Sequence, residues 1–511
     1  MDDKIIVTNR AALQAKYGKA GFAKIETAIN HLIKADANRA IQARLVFLDD
    51  ASAMRRYSGT PVASPMSPRQ AKDAIDAIFK KANPDYLMIL GAPDVVPHQD
   101  LNNPAYAASD DDKIAWSDLP YACEAPYSKD VAKFKGPTRV VSRLPDLTGA
   151  KDPAYLLNLI AYAASYKSRA VTDYGRYFGL SAQVWQKSTA LSLFNIFGDS
   201  KALAISPPSG PNHPAARLAP LSHFINCHGA PASPEFYGQK GNRYPTSLTT
   251  KAMKRKIKVG TVAAAECCYG AELYDSVTLV ADIPICQEYL RQGGYGFFGS
   301  TTIAYGPAEG NAQADLITQY FLLKILDGAS LGRAALSARQ QFIEQTAELD
   351  PVDLKTLAQF ILLGDPSIHP AQVAKTTAVP RGIDPVVPEQ QARAERRTKL
   401  RQAGNYLEAT KPTASHPEKR ARKSASVLQA LANIARQAGI SPKREFTAFA
   451  VKAPPAARAK ANKAAPLASR YHVTISSTGR GKMPDGVVSR VAVVAKEVDG
   501  RIIGYRVYRG K

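Results

Sequence analysis

Short apolar runs alternate with longer helix-like stretches through the first 370 residues, and this alternation limits the possible folds more than any other feature. Residues 4–9 (KIIVTN), 43–49 (ARLVFLD) and 85–91 (DYLMILG) have the length and apolar continuity of buried strands. Between them lie a mixed helical stretch reaching about residue 40 and a second that opens at Ser67-Pro68 and is broken by Asn83-Pro84. Such order predicts an α/β fold, with a mainly parallel sheet flanked by helices. Residues 92–137 are irregular, rich in Pro, Asp and Tyr, and include the acidic run Asp110-Asp111-Asp112. A loop of that length inside a compact unit usually carries function. The alternation resumes with strand 138–143 (TRVVSR), a helix from about 152 to 168, strand 177–182, helix 189–197 and strand 202–206, which makes a second α/β unit.

Two apolar runs in that second unit end in reactive residues. Residues 222–228 (SHFINCH) lead into Gly229, and residues 260–267 (GTVAAAEC) lead into Cys268-Tyr269-Gly270. Ligands of parallel α/β sheets bind at the carboxyl ends of strands, so a His-Gly and a Cys at two such ends are placed to converge. A cysteine peptidase requires a thiolate, a group that protonates the leaving amine, and N–H donors for the oxyanion. His228 and Cys267 are candidates for the first two, with Gly229 allowing close backbone approach and Gly270 a sharp turn. Residues 295–304 (YGFFGSTTIA) read as a further strand of the same kind, and helices over 311–345 and 351–363 close the body before Gly364-Asp365-Pro366.

The ordered set of motifs resembles the gingipain-type cysteine peptidases of the caspase-like clan. The segments that carry the resemblance are residues 85–97 (DYLMILGAPDVVP), 117–121 (SDLPY), Arg143-Leu144-Pro145, FINCHG, AAECCYG, 298–301 (FGST) and 363–367 (LGDPS), in the family's order. The resemblance implies a caspase-like fold of two related α/β subdomains, residues 1–172 and a peptidase subdomain 173–370. It implies His228 as general acid/base and Cys267 as nucleophile, since the family's Cys-x-x-Gly spacing matches Cys267 and Gly270; the Cys-x-Gly spacing of the clan's caspase branch selects Cys268. The backbone N–H groups of Gly229 and Cys267 form the implied oxyanion hole, and Ser300, Thr301 and Tyr305 match the segment that holds the substrate backbone. Arginine-specific relatives carry a carboxylate in the stretch that here reads Gln183-Val184-Trp185-Gln186-Lys187, so basic-residue specificity is not inherited.

Charge separates the body from an appendage. Of the formal net +23, +19 lies in residues 371–511, which hold 28 Lys and Arg against 9 Asp and Glu. Residues 371–468 are rich in Ala, Lys, Arg and Pro and read as a basic linker, with 454–465 of low complexity and one amphipathic helix over 425–438. Residues 469–511 read as a small C-terminal β hairpin unit, with Asp499-Gly500 at the turn. The basic tail is read as a solvated linker, a polyanion-binding arm or a segment regulated by proteolysis, with dibasic pairs at Arg396-Arg397 and Lys419-Arg420.

The five cysteines form no framework of disulfides, the N-terminal residues lack a secretory leader, and no window is apolar enough to span a membrane, which together point to the cytoplasm. Cys267 and Cys268 with His223 and His228 are an inferior zinc set, because adjacent strand residues point to opposite faces, so no metal or cofactor is expected. These features predict a cysteine endopeptidase acting on protein or peptide substrates. The competing reading is an inactive peptidase-fold adaptor whose basic tail binds nucleic acid or an acidic protein.

Overall fold

Ten strands drawn from residues 4 to 364 form one sheet whose two halves run in opposite directions. In the computed structural model, which describes residues 2–106, 112–373, 389–411, 413–418, 423–452, 469–477 and 490–511, they are β1 (Lys4–Thr8), β2 (Ala43–Phe47), β3 (Tyr86–Leu90), β4 (Val141–Leu144), β5 (Tyr177–Ala182), β6 (Leu203–Ser206), β7 (Ser222–Asn226), β8 (Val262–Ala265), β9 (Gly296–Ser300) and β10 (Phe360–Gly364). Their order is β2-β1-β3-β4-β10-β9-β8-β7-β5-β6. Every neighbouring pair is parallel except β9 and β10, which pair antiparallel from Gly296 opposite Gly364 to Ser300 opposite Phe360. The carboxyl ends of β5 to β9 therefore lie along one edge. Among these, the strand order reverses between β5 and β7, the kind of place where open α/β sheets bind ligands.

The helices are set by caps and by apolar stripes. Helix α1 (Arg10–Ala37) starts at Asn9, whose side chain accepts the Ala12 N–H, and α2 (Pro68–Ala82) starts at Ser67 and stops at Asn83 in the left-handed conformation. Helices α3 (Ala154–Ser165), α4 (Gln186–Phe197), α5 (Ile285–Arg291), α6 (Gln313–Leu326), α7 (Leu331–Gln345) and α8 (Pro351–Gln359) complete the body. Among the described residues no helix is long and apolar enough to cross a membrane.

The irregular excursion after β3 is tied down by one buried arginine. Arg143, at 0% exposure, donates to both Asp118 carboxylate oxygens (2.9 and 2.6 Å) and to the carbonyls of Gly91 (2.8 Å) and Val96 (2.7 Å), and His98 Nδ1 meets Asp118 at 2.9 Å. Ser117 Oγ donates to the Ala358 carbonyl, and Asp112 pairs with Lys355, so the excursion packs on α8, the helix that leads into β10. Asp110 and Asp111 fall outside the described residues.

The composition predicts a linker over 371–468, and the structure differs. Helices α9 (Glu389–Thr410) and α10 (Ala425–Gln437) and strands β11 (Thr413–Pro417) and β12 (Thr447–Lys452) occupy much of this span. Helix α9 lies on the body: Arg397 pairs with Asp85 at 3.1 Å, Lys135 Nζ donates to the Glu408 carbonyl at 2.7 Å, and a Cβ on Gly404 would sit 2.3 Å from the Pro137 carbonyl oxygen. Two of its basic side chains, Arg393 and Arg397, face carboxylates of the body, which composition cannot reveal. Lys419-Arg420 and residues 454–465 lie outside the described residues.

Strands β13 (Ser469–Ser477), β14 (Arg490–Val498) and β15 (Arg501–Gly510) join β12 and β11 in an antiparallel sheet, with Asp499-Gly500 turning β14 into β15. Val427, Leu431 and Ile434 of α10 share a small core with Val491, Val493 and Ala495 of β14. The outer edge of β15 continues onto the body, where Gly510 and Arg509 pair with Tyr305 and Gly306.

Lys4, fully buried in β1, joins Asp36 at the end of α1 (2.8 Å) to Asp365 and Ser367 beyond β10. Replacing one member of a buried ion set leaves the others uncompensated. Lys4→Met is expected to lower unfolding free energy by about 3–5 kcal/mol, read from urea denaturation, with the double variant Lys4→Met/Asp365→Asn recovering part of the loss.

Candidate active site

The residues that follow β7, β8 and β9 come together at the carboxyl edge of this half of the sheet. Ile225 pairs with Ala265 and Ala265 with Gly299, so His228, the Cys267-Cys268 pair and Ser300-Thr301 leave the sheet from neighbouring positions. Gly229 makes the closest approach: a Cβ there would lie 1.8 Å from the Cys268 carbonyl oxygen, so only glycine lets the His-Gly segment abut the cysteine turn. The residue that takes the left-handed conformation in that turn is Tyr269 (φ 56°), while the Gly270 N–H returns to the Cys267 carbonyl at 3.1 Å.

The adjacent cysteines diverge, as successive residues leaving a strand do. Cys267 is fully buried; its Sγ accepts the Cys227 N–H at 3.4 Å and lies 3.9 Å from the Ile225 carbonyl. Cys268 is 5% exposed, its Sγ lies 3.5 Å from the Ala304 carbonyl, and its backbone N–H donates to the Lys511 carbonyl oxygen at 2.8 Å. The Cys-x-x-Gly resemblance implies Cys267 as nucleophile and its N–H for the oxyanion. The structure turns Cys267 toward the sheet and brings the N–H of Cys268 to a bound carbonyl. Burial pushes the Cys267 thiol well up and the Cys268 thiol up to about 12.

His228 sits against the rings of Trp185 and Tyr244, with centroids 4.5 and 5.3 Å away. Its Nε2 meets Gln239 Oε1 at 2.8 Å, and since that oxygen only accepts, Nε2 carries the hydrogen and Nδ1 the lone pair. Gln239 is itself fixed, its amide donating to the Gly241 carbonyl (3.0 Å) and Tyr244 Oη (3.1 Å). No motif marks Gln239 in the sequence, because its role follows from a turn that brings position 239 back over 228. Burial lowers the His228 pKa to about 4. His223 lies elsewhere, its ring nitrogens at 2.7 Å from Tyr289 Oη and 3.0 Å from the Pro220 carbonyl.

Lys511, the last residue of the sequence, fills a pocket at the foot of the cleft. Its N–H donates to the Ala304 carbonyl at 2.9 Å and its Nζ to Asp315 Oδ1 at 2.7 Å and to Glu266, all three side chains at 0% exposure. The ammonium lies 5.8 Å from the Trp185 ring, and a Cβ on Gly306 would come within 2.3 Å of Lys511 Cε. Burial opposes the charge of Lys511, yet Asp315 and Glu266 outweigh it and hold the pKa above the ordinary lysine value. Burial and the Asp315 carboxylate push Glu266 well up, and its Oε1 has no hydrogen-bond partner.

The three residues expected to hold the substrate backbone lie beside the cysteine turn. Ser300 Oγ donates to the Thr302 carbonyl at 2.8 Å and Thr301 Oγ1 to the Trp116 carbonyl at 2.5 Å, so both brace the wall. Tyr305 pairs through its backbone with Gly510. Beside Thr301, a cleft of about 440 Å³ lined by His98, Trp116, Glu272 and Tyr274 extends the site.

No protein-family model and no curated protein matches the chain. Among solved structures it is similar to one described as a protease, with 12% identity and a TM-score of 0.47 over 99% of this chain and 96% of that one. It is also similar to a chain of the Saccharomyces cerevisiae separase–securin complex, with 12% identity and a TM-score of 0.27 over 46% of this chain and 14% of the other.

His223 and His228 are both held by burial at about 4, whereas an unfolded imidazole titrates near 6.5. The unfolded chain then binds more protons between these values, so stability falls as pH drops from about 6.5 to 4, by about 3 kcal/mol per imidazole at the lower end. Urea denaturation across that range is expected to show this fall, and His223→Gln to reduce proton uptake on unfolding by about one.

Proposed function

We propose that the protein is a cysteine endopeptidase that cuts on the carboxyl side of lysine, with Cys268 as nucleophile and His228 as general acid/base. One observation carries this reading: a lysine lies in the cleft with its side chain between Glu266 and Asp315 and its carbonyl oxygen on the Cys268 N–H. A residue before a scissile bond requires an oxyanion donor on its carbonyl, and here that donor is the backbone N–H of the residue that carries the proposed thiol. The gingipain-like resemblance agrees on the His-Gly and Cys segments, and the Cys-x-Gly spacing of Cys268 and Gly270 is that of the clan's caspase branch. The lysine preference rests on Glu266 and Asp315 and owes nothing to the 183–187 stretch, which contributes Trp185 instead.

In this mechanism His228 Nδ1 takes the thiol proton and Cys268 Sγ attacks the lysine carbonyl carbon. The negative oxygen that forms is received by the N–H groups of Cys268 and Gly229. Collapse of this intermediate breaks the C–N bond, and the amine leaves with the proton held by His228. Water, deprotonated by the same imidazole, then hydrolyses the thioester and restores the thiol. Gln239 acts as a positioning residue, since its acceptor oxygen keeps the hydrogen on Nε2 and the lone pair on Nδ1.

Cleavage of lysyl peptide substrates is expected from the purified chain and to be lost in Cys268→Ala, while Cys267→Ala retains it. Asp315→Asn is expected to lower kcat/KM for lysyl substrates about 10²–10³-fold, the cost of removing a partner from a buried charge pair. Equal loss in both cysteine variants with intact folding, or no hydrolysis by any form, would return the protein to the reading of an inactive scaffold.

A further inference from the structure

The occupant of the cleft belongs to the chain itself. Strand β15 runs antiparallel to Tyr305–Gly306 and ends with Lys511 between Glu266 and Asp315. Pairing an extended segment with an exposed edge while a pocket reads one side chain is a general way of binding peptides. A further set of contacts, away from the pocket, holds the C-terminal sheet beside the cleft. Tyr471 Oη donates to Glu348 at 2.8 Å, Lys496 pairs with the same carboxylate, and Tyr508 Oη donates to Asp350 at 3.1 Å.

We propose that the C-terminal β unit is a reversible intramolecular competitor for the peptide-binding cleft, with β15 in the place of an extended peptide and Lys511 in the place of its lysine. The proposal rests on reading the cleft as a peptide-binding site. Substrate enters only when β15 withdraws. Tethering makes even modest affinity sufficient: at an effective concentration on the order of 1 mM, an intrinsic dissociation constant of about 100 µM keeps the cleft closed about ten times as often as open. The occupied state also keeps the catalytic pair uncharged, because burial raises the Cys268 thiol and lowers His228 together.

The test compares the full-length wild type with Lys511→Ala and with Glu348→Gln, which loosens the sheet's hold outside the cleft. The probe is a fluorescently labelled peptide of the sequence RIIGYRVYRGK, followed by polarisation with each protein carrying Cys268→Ala, and lysyl peptide hydrolysis is followed with Cys268 intact. Lys511→Ala is expected to bind the probe at least tenfold more tightly than wild type and to lower the apparent KM by a similar factor at unchanged kcat. Glu348→Gln is expected to shift both in the same direction by less, which keeps the test valid if Lys511→Ala folds poorly. Equal probe binding and equal KM in wild type and both variants would overturn the proposal. Tighter probe binding by the variants without hydrolysis by any form would uphold the competitor and refute the peptidase reading. Hydrolysis by all forms with the same KM would do the reverse.

Discussion

Three ionisable groups without access to water meet at the foot of the cleft, and three separate segments are positioned by that constraint. A lone buried charge is untenable, and a buried pair persists only where its geometry and hydrogen bonds repay desolvation. Glu266 follows β8 directly, Asp315 lies in the first turn of α6 where it also accepts from Ser188 Oγ at 2.8 Å, and Lys511 arrives from the far end of the chain. Two carboxylates facing one ammonium favour a cation over any neutral side chain. The pressure on Glu266 from burial and from Asp315 shows what the pocket would bear without one. Gly306 leaves the room that the lysine stem occupies, so the pocket is fitted in shape as well as in charge.

The sheet explains why these groups can meet. Strands β5 to β9 run one way, so the chain emerges from β7, β8 and β9 at a common edge, and β10 closes that half by running against β9. The first half of the sheet points its carboxyl ends the other way and reaches the site through the excursion after β3. Arg143 makes that reach rigid by binding Asp118 and two excursion carbonyls at once. The excursion then braces Thr301 through the Trp116 carbonyl and Lys355 through Asp112, and Lys355 lies 5.1 Å from the Tyr305 ring. The segment that looked irregular in the sequence holds a short antiparallel pair, Gln99–Asn102 with Ile114–Ser117, and is thus part of the cleft's wall.

Legibility in the sequence follows the range of the interaction. The strand runs at 4–9, 43–49, 85–91, 177–182 and 222–228 were readable because burial on both faces leaves a continuous apolar signature, and the His-Gly and Cys-Cys segments stood out because they end such runs. Spacing to Gly270 fits two patterns and leaves Cys267 and Cys268 both open in the sequence, and the proposed choice of Cys268 rests on the divergence of the two side chains after β8. Asp315 and Glu266 were equally hidden. Each is an ordinary carboxylate in its local segment, and they become a pocket only when α6 is laid against the end of β8. The basic span 371–468 misled for a related reason: charge density reads as solvation, whereas the partners of Arg397 and Lys135 sit hundreds of residues away in sequence.

Among the described residues, five basic side chains of the tail meet carboxylates of the body. Arg397 meets Asp85, Arg393 lies 3.8 Å from Asp3, Lys496 meets Glu348, Arg506 lies 3.8 Å from Asp350, and Lys511 meets Glu266 and Asp315. The four pairs outside the cleft each include a partly accessible side chain, and they orient the appendage on the body. The buried contacts at Lys511 differ in kind, because there the alternative to pairing is uncompensated carboxylates in a dry pocket. The formal +19 of the appendage thus includes five side chains whose acidic partners lie on the body, and of these Lys511 is the one held by two fully buried carboxylates.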